Sequence, residues 1–217
     1  MKVVFTMGGI TNYLSPLLDN VVRKGVDVVM VIPSVKDNQT IGKGVKLVNN
    51  EALYQVRYSE IKQGWYGKTI LTDLKTILNE EKPDIVVLGW PYFLQYFFDR
   101  QLRLLIKENN IKLIIREIPF QVPPFGQLSY FKENPVYDEN MILQSRGMSF
   151  FIRALCTMYI RKFVYKHADA TINYASCAYD ILPSYGVNKD KIFVTYNTPN
   201  TESLIRLREK VLSAPPL

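Results

Sequence analysis

The chain has 217 residues, 47% of them hydrophobic and 22% charged, an apolar content that supports a packed core and excludes a disordered chain. With 27 Lys and Arg against 20 Asp and Glu, the net charge is +7, which favours anionic partners. The basic residues are scattered without a long run, so no nucleic-acid-binding arm is expected.

The apolar run before Thr6 is too short for a secretory signal core. Lys2 to Met7 instead reads as a buried strand. Tyr13 to Lys24 reads as a helix, with Leu14, Leu17, Leu18, Val21 and Val22 at three-to-four spacing. Asn12 is its candidate N-cap and Gly25 its C-terminal stop. Val26 to Ile32 is a second buried strand, ended by Pro33. Val45 to Val48 is a short third strand, and Leu53 to Ser59 another. Thr69 to Glu81 reads as a helix ended by Lys82 and Pro83. Asp84 to Leu88, almost without polar content, is a strand broken by Gly89, Trp90 and Pro91. Phe93 to Asn109 is a long helix and Ile111 to Ile115 the next strand. Residues 119 to 146 form a proline- and aromatic-rich excursion, longer than a routine connection and of a kind often tied to function.

Met148 to Lys166 is an apolar helix carrying basic residues. Arg153, Arg161 and Lys162 leave no charge-free stretch of about 18 residues, so it does not read as membrane-spanning. Ala170 to Tyr174 is a strand. Ala175 to Tyr185 is a short helix interrupted by Pro183 and closed by Gly186. Lys191 to Tyr196 is the last strand, Asn197 to Asn200 a turn, and Glu202 to Leu212 a charged terminal helix. Short apolar strands separated by amphipathic helices predict an α/β fold, a Rossmann-like open parallel sheet with helices on both faces. Residues 1–200 are expected to form one domain and 201–217 a tail. The two cysteines, Cys156 and Cys177, lack metal-ligand spacing and are expected as reduced thiols in or near the core. The chain is expected in the cytoplasm, soluble or attached to a membrane surface.

In open parallel sheets, ligands bind beyond the carboxyl ends of the strands. That rule nominates four loops. The first runs from Gly8 to Asn12, with Gly9, Ile10 and the Thr11 hydroxyl. A glycine pair there suits either a tight turn or a close approach of backbone N–H groups to a phosphate at a helix start. The second, Gly89 to Tyr92, offers Trp90 and Tyr92, flat surfaces for a sugar or base, or simply core. The third, Arg116 to Phe120, offers a fork-shaped cation suited to phosphate or carboxylate, together with Glu117. Arg116 could equally pair with Glu117 or another carboxylate. The fourth, Ala175 to Cys177, holds Ser176, whose simplest role is a helix N-cap.

The first loop reads MGGITN rather than G-x-G-x-x-G, so a dinucleotide turn is disfavoured. Gly67-Lys68-Thr69 spells GKT, but Gly64 lies too close to complete a P-loop. No Cys/His metal set exists, and no metal is expected. His167 is the only histidine. It sits at a helix end, where its charge complements the helix dipole, and offers little for Ser-His-Asp chemistry.

The stretch YKHADATINYASCAYDILPSYGVNKDKIFVTYNTPNTE resembles the segment that closes the N-terminal half of family 4 glycosyltransferases of the GT-B fold. Ala168, Asp169, Ala170, Ile172, Ser176, Leu182, Gly186, Val187, Lys191, Ile192, Val194 and Asn197 fall in register with that pattern. Lys24-Gly25-Val26-Asp27-Val28 is similar to the family's step into its second strand. Lys82-Pro83-Asp84-Ile85-Val86 is similar to its "KPDIVH". Two positions depart: Leu88-Gly89-Trp90 stands where a histidine is usual, and Tyr196-Asn197-Thr198-Pro199-Asn200 replaces Asn-Gly-Val-Asp.

The resemblance implies the acceptor-binding part of a retaining glycosyltransferase, moving a sugar from a nucleotide-sugar donor to a glycan or lipid-linked acceptor. Gly8, Gly9, Ile10 and Thr11 are then implied to lie near the donor phosphates. Asn12, Trp90, Tyr92, Arg116, Glu117, Ser176 and Asn197 are candidates for the acceptor cleft. The nucleotide-sugar is a substrate, and no cofactor is implied. The family's second domain, with its E-x7-E glutamates, has no counterpart in this sequence. The chain is therefore expected to be an N-terminal half, either a fragment or one subunit of a split enzyme, with little activity alone. The alternative is a non-catalytic subunit that recruits a catalytic partner to an anionic membrane, on the inner face.

Overall fold

The computed structural model of the chain describes residues 1–35, 52–64, 66–119, 122–135, 143, 146–196 and 201–213, with nothing said of the side chains of 201–203. The predicted strand at 45–48 and the turn at 197–200 lie outside the described residues. The apolar runs become strands β1 (Lys2–Thr6), β2 (Asp27–Pro33), β3 (Gln55–Ser59), β6 (Ile85–Gly89), β7 (Lys112–Glu117), β8 (Ala170–Asn173) and β9 (Ile192–Val194). They form one seven-stranded sheet in the order β3-β2-β1-β6-β7-β8-β9. Every neighbouring pair is parallel. The expected α/β fold, a Rossmann-like parallel sheet, is what the chain forms.

Both faces of the sheet are covered, which is why the strands lack polar alternation. Val3, Phe5, Val28, Met30 and Val87 face one way and pack with Leu14 and Leu18 of α1 (Leu14–Arg23). Val4, Val29, Val31, Val86, Leu88 and Ile115 face the other way. There they meet α2 (Leu74–Glu81), α3 (Phe93–Phe98), α4 (Arg100–Glu108) and α6 (Met148–His167). A helical turn α5 (Tyr130–Glu133) lies in the long excursion. A short α7 (Ala178–Ile181) runs into a 3-10 turn at Leu182–Tyr185, closed by Gly186 at φ +87°. The terminal helix α8 spans Thr201–Leu212.

Four local expectations are corrected. The helix expected from Thr69 begins at Leu74, because Thr69–Leu71 is strand β5 and pairs antiparallel with β4 (Ile61–Gln63). Gln95 anchors that hairpin: its amide donates to Leu71 O at 3.0 Å and accepts from Leu71 N at 3.2 Å. The long helix from Phe93 is cut at Asp99, whose backbone is extended (φ −98°, ψ 100°). The Asp99 carboxylate accepts from the N–H groups of Gln101 and Leu102 at 2.9 and 3.1 Å, an N-cap that starts α4 afresh. Asn12 does not cap α1; Tyr13 occupies that position, and no side chain caps the helix. Cys156 is exposed on α6 rather than buried. His167 does end α6, its Nδ1 lying 2.7 Å from Phe163 O.

At the amino end of the sheet, Glu81 joins β1, β3 and α2. Its carboxylate meets Lys2 Nζ at 2.9 Å and Arg57 Nη1 at 2.6 Å. Burial pushes the Glu81 carboxyl up, but the two cations outweigh it and hold the group below its usual range. A carboxyl lowered in this way stabilises the fold above its unfolded pKa and loses that contribution as pH falls through the folded value. Glu81→Gln is expected to destabilise the chain near neutral pH by about 1 kcal/mol after solvent screening. The gap from the parent should close below about pH 4. Thermal unfolding followed by circular dichroism across that range checks it; an equal gap at both ends would contradict the assignment.

Candidate functional site

The chain passes from β1 outward to β2 and β3, then returns to β6 on the other side of β1. The connections after β1 and β6 therefore diverge and open a crevice at the carboxyl ends. Thr6 ties the two strands there. Its hydroxyl donates to Val87 O at 3.0 Å and accepts from Gly89 N at 3.3 Å.

The loop after β1 holds Gly8 and Gly9, both buried, half-buried Ile10, buried Thr11 and exposed Asn12. Among the described residues, the left-handed glycines are Gly25, Gly67, Gly126 and Gly186, none of them in this loop. The Thr11 hydroxyl is buried with no hydrogen-bond partner among the described residues, while the Thr11 carbonyl receives Ser15 N at 3.0 Å. Helix α1 begins directly afterwards with no side-chain cap and no acidic residue in its first turn. Its leading N–H groups carry the positive end of the helix dipole.

Arg116, at the end of β7, points to this same side. It pairs in register with Gly89 of β6, where the absence of a side chain leaves a lane across the strand. Through that lane Arg116 Nη1 reaches Met7 Sδ, just beyond β1, at 3.3 Å. The guanidinium lies 4.5 Å from the centre of the Tyr174 ring, and Tyr13 meets Tyr174 edge-on at 6.4 Å. Arg116 is only 7% exposed, yet no carboxylate pairs with it among the described residues. Its Nη2 has no partner there either. Burial lowers its pKa to about 10, with Tyr13 acting in the opposite sense. A buried arginine without a counter-ion is uncommon. Its buried, unsatisfied Nη2 edge, near the loop that follows β1 and the α1 terminus, has the hydrogen-bonding chemistry of a phosphate or carboxylate partner.

Glu117 does not pair with Arg116. Successive strand residues point to opposite faces, so Glu117 projects to the α6 side. There Arg161 Nε lies 3.2 Å from Glu117 Oε2, and the Tyr165 hydroxyl donates to the same oxygen at 2.7 Å. Burial works against the Arg161 charge, but Glu117 more than compensates and raises its pKa. Burial and Glu117 together raise that of Tyr165, which keeps its proton. Arg161 also sits 4.9 Å from the centre of the Trp90 ring. Glu117 thus belongs to a closed ion pair that braces Trp90 from below.

Trp90 is 36% exposed at the crevice. Tyr92 is fully buried and lies in the core rather than at the cleft surface. Ser176 is exposed in the loop after β8, but Cys177 holds the N-cap position of α7, which has no side-chain cap. Asn197 lies outside the described residues. Arg161, Tyr165, Tyr174 and Lys68 enter the site although none of them is among the candidates the sequence nominates for it. A basic residue inside an apolar helical run was the available signal for Arg161.

No family model matches the chain, and no curated protein matches it. Solved structures do match its fold. A UDP-N-acetylglucosamine 2-epimerase from Rickettsia bellii is 16% identical with a TM-score of 0.50, over 99% of this chain and 49% of that one. A UDP-GlcNAc 2-epimerase from Neisseria meningitidis, bound to UDP-GlcNAc, is 12% identical with a TM-score of 0.52, over 98% of this chain and 50% of that one. At such identities the likeness is one of fold, and this chain spans about half the length of those structures.

A cation whose folded pKa is lowered destabilises the fold at neutral pH; that penalty fades only as pH rises from about 10 towards 12.5. Arg116→Met should therefore stabilise the ligand-free chain near pH 7 by about 1–3 kcal/mol, read by urea unfolding. Destabilisation by the substitution would show that the buried charge has a structural partner.

Proposed function

We propose that this chain is one lobe of a two-lobed enzyme acting on nucleotide sugars. More finely, it is the acceptor-binding part of a retaining glycosyltransferase that delivers a sugar to a glycan or lipid-linked acceptor. The observation that carries the reading is the buried Arg116 guanidinium, without a counter-ion among the described residues, beside the α1 terminus at the crevice of a parallel sheet. Fold likeness to one half of enzymes whose names specify a UDP-sugar supports it, as does the family resemblance of the sequence. In this reading the loop Gly8 to Thr11 and Arg116 bear on the diphosphate. As the anomeric carbon–oxygen bond breaks, negative charge grows on the departing diphosphate, and fixed donors stabilise it. The acceptor hydroxyl then attacks the same face and loses its proton to the leaving group. The nucleotide sugar is a substrate here, not a resident cofactor.

The test is turnover of UDP-GlcNAc by the full-length protein, with and without a lipid extract as acceptor source. Release of UDP that depends on acceptor, with the anomeric configuration kept, is the expected result. Arg116→Met should lower kcat/KM by about a hundredfold or more, corresponding to the loss of a charged hydrogen bond of roughly 3 kcal/mol. Appearance of the C2 epimer of the donor without any acceptor would replace transfer with epimerisation.

A second reading, a subunit that recruits a catalytic partner to a membrane, is favoured by the outer face of α6. Met148, Ile152, Leu155 and Tyr159 are exposed there, at spacings that fall on one stripe. Exposed Lys162 and Lys166 continue that stripe, while exposed Arg153 lies off it. No helix among the described residues is long and apolar enough to cross a membrane, so attachment would be at the surface. The chain should co-sediment with phosphatidylglycerol vesicles at low salt, and Ile152→Glu with Leu155→Glu should abolish this. Failure of the parent to pellet ends the membrane reading.

A further inference from the structure

We infer that Trp90 is the platform for a sugar ring of the acceptor, and that Lys68 makes the platform select rings bearing a carboxylate or phosphate. The inference rests on the reading of the crevice as a sugar site, and it concerns the opposite side of β6 from Arg116. Trp90 follows β6 at the switch point with its indole partly open to solvent. Its inner contacts are fixed: the edge of Phe93 at 5.4 Å and the Arg161 guanidinium at 4.9 Å. Arg161 is itself held by Glu117 at 3.2 Å. The charge of Arg161 is thus already matched, and it serves to position the indole rather than to attract a ligand. A flat ring held this way presents apolar area at little entropic loss, which suits the C–H face of a pyranose.

Lys68 differs from Arg161 in every relevant respect. Its ammonium lies 5.8 Å from the centre of the Trp90 ring, near the outer limit of a useful cation–π contact. No carboxylate pairs with it among the described residues. Its backbone, by contrast, is well fixed. Gly64 N donates to Lys68 O at 2.8 Å, and Gly67 N donates to Gly64 O at 2.9 Å. The Tyr66 ring stacks on Phe98 at 4.4 Å. The hairpin β4–β5 therefore brings over the indole, on a rigid base, an ammonium with no carboxylate partner among the described residues. A ring lying on Trp90 with a negative substituent would meet it, and a neutral ring would not.

Trp90 and Trp65 are the only tryptophans, so Trp65→Phe leaves Trp90 as the single indole emitter. That variant is titrated with glucuronate, glucose 6-phosphate, methyl glucoside, inorganic phosphate and UMP. The two acidic sugars should shift Trp90 emission at concentrations about tenfold below methyl glucoside, and inorganic phosphate alone should not shift it. Lys68→Met should level acidic and neutral sugars while leaving the UDP-induced rise in unfolding temperature intact. Followed by saturation-transfer NMR instead of emission, Trp90→Phe should keep part of the sugar binding, and Trp90→Leu should lose it. If Trp65→Phe misfolds, saturation-transfer NMR on the unmodified chain makes the same comparison. Equal response to acidic and neutral sugars, or to phosphate and glucose 6-phosphate, overturns the selectivity. Emission blind to every sugar, with UDP still raising the unfolding temperature, overturns the platform and leaves the nucleotide-sugar reading standing. If UDP also has no effect, both fall together.

Discussion

A guanidinium kept out of water, with no carboxylate beside it among the described residues, governs the carboxyl end of this sheet. Arg116 lies in the layer between the sheet and α1, where desolvation lowers its pKa to about 10. The compensations visible there are partial: a thioether at 3.3 Å and a tyrosine face at 4.5 Å. Both soften the desolvation of a cation, and neither neutralises it. The Thr11 hydroxyl adds a second unsatisfied group near the same helix terminus. Stability alone would favour an apolar residue at this place, because a buried charge without a counter-ion weakens a fold. In the proposed reading, an anionic ligand turns the arrangement from a liability into a binding site.

The strand register decides which charges can cancel. Arg116 and Glu117 are neighbours in sequence, and an alternating strand sends them to opposite faces. Glu117 consequently finds Arg161 and Tyr165 on α6, while Arg116 finds the first loop. The pairing of Arg116 with Gly89 is equally consequential. A long side chain on β6 at that point would fill the lane through which Arg116 crosses towards β1. A single Cβ would not, since its nearest neighbours are Thr6 O at 3.7 Å and Arg116 O at 3.9 Å, ordinary contact distances.

Much of the fold was legible because burial on both faces leaves an unmistakable trace. Val28 to Ile32 and Ile85 to Leu88 read as strands since no residue in them meets solvent freely. The errors came where a local hydrogen bond overrules periodicity. Apolar spacing continues from Phe97 and Phe98 to Leu102, so nothing in the period reveals that the Asp99 carboxylate starts a new helix. The hairpin β4–β5 was missed because three residues per strand are too few for an alternation to register. In the site, residue type pointed to Arg116 and Trp90, but not to what surrounds them. Whether Arg116 is paired depends on which strand lies beside β7, a fact of topology rather than of local sequence. Tyr92, two residues beyond Trp90, turns fully into the core, and only the path of the turn separates their environments.

In the proposed reading, the two faces of β6 divide the labour that a sugar-nucleotide site requires. On the α1 side stand a buried cation and helix-terminal N–H groups, suited to an oxyanion whose position must be fixed. On the α6 side stands an indole braced by a neutralised ion pair, suited to a ring whose hydroxyls remain in water. The Thr6 hydroxyl, donating to Val87 O and accepting from Gly89 N, holds the strand between them in place. In that reading these groups bind and orient, while Glu117 is engaged by Arg161 and Tyr165 and is poorly placed to move a proton. In the proposed reading, a ligand gripped from one side in this manner leaves its other side open, and a second lobe closing over it would supply both the remaining contacts and the exclusion of water.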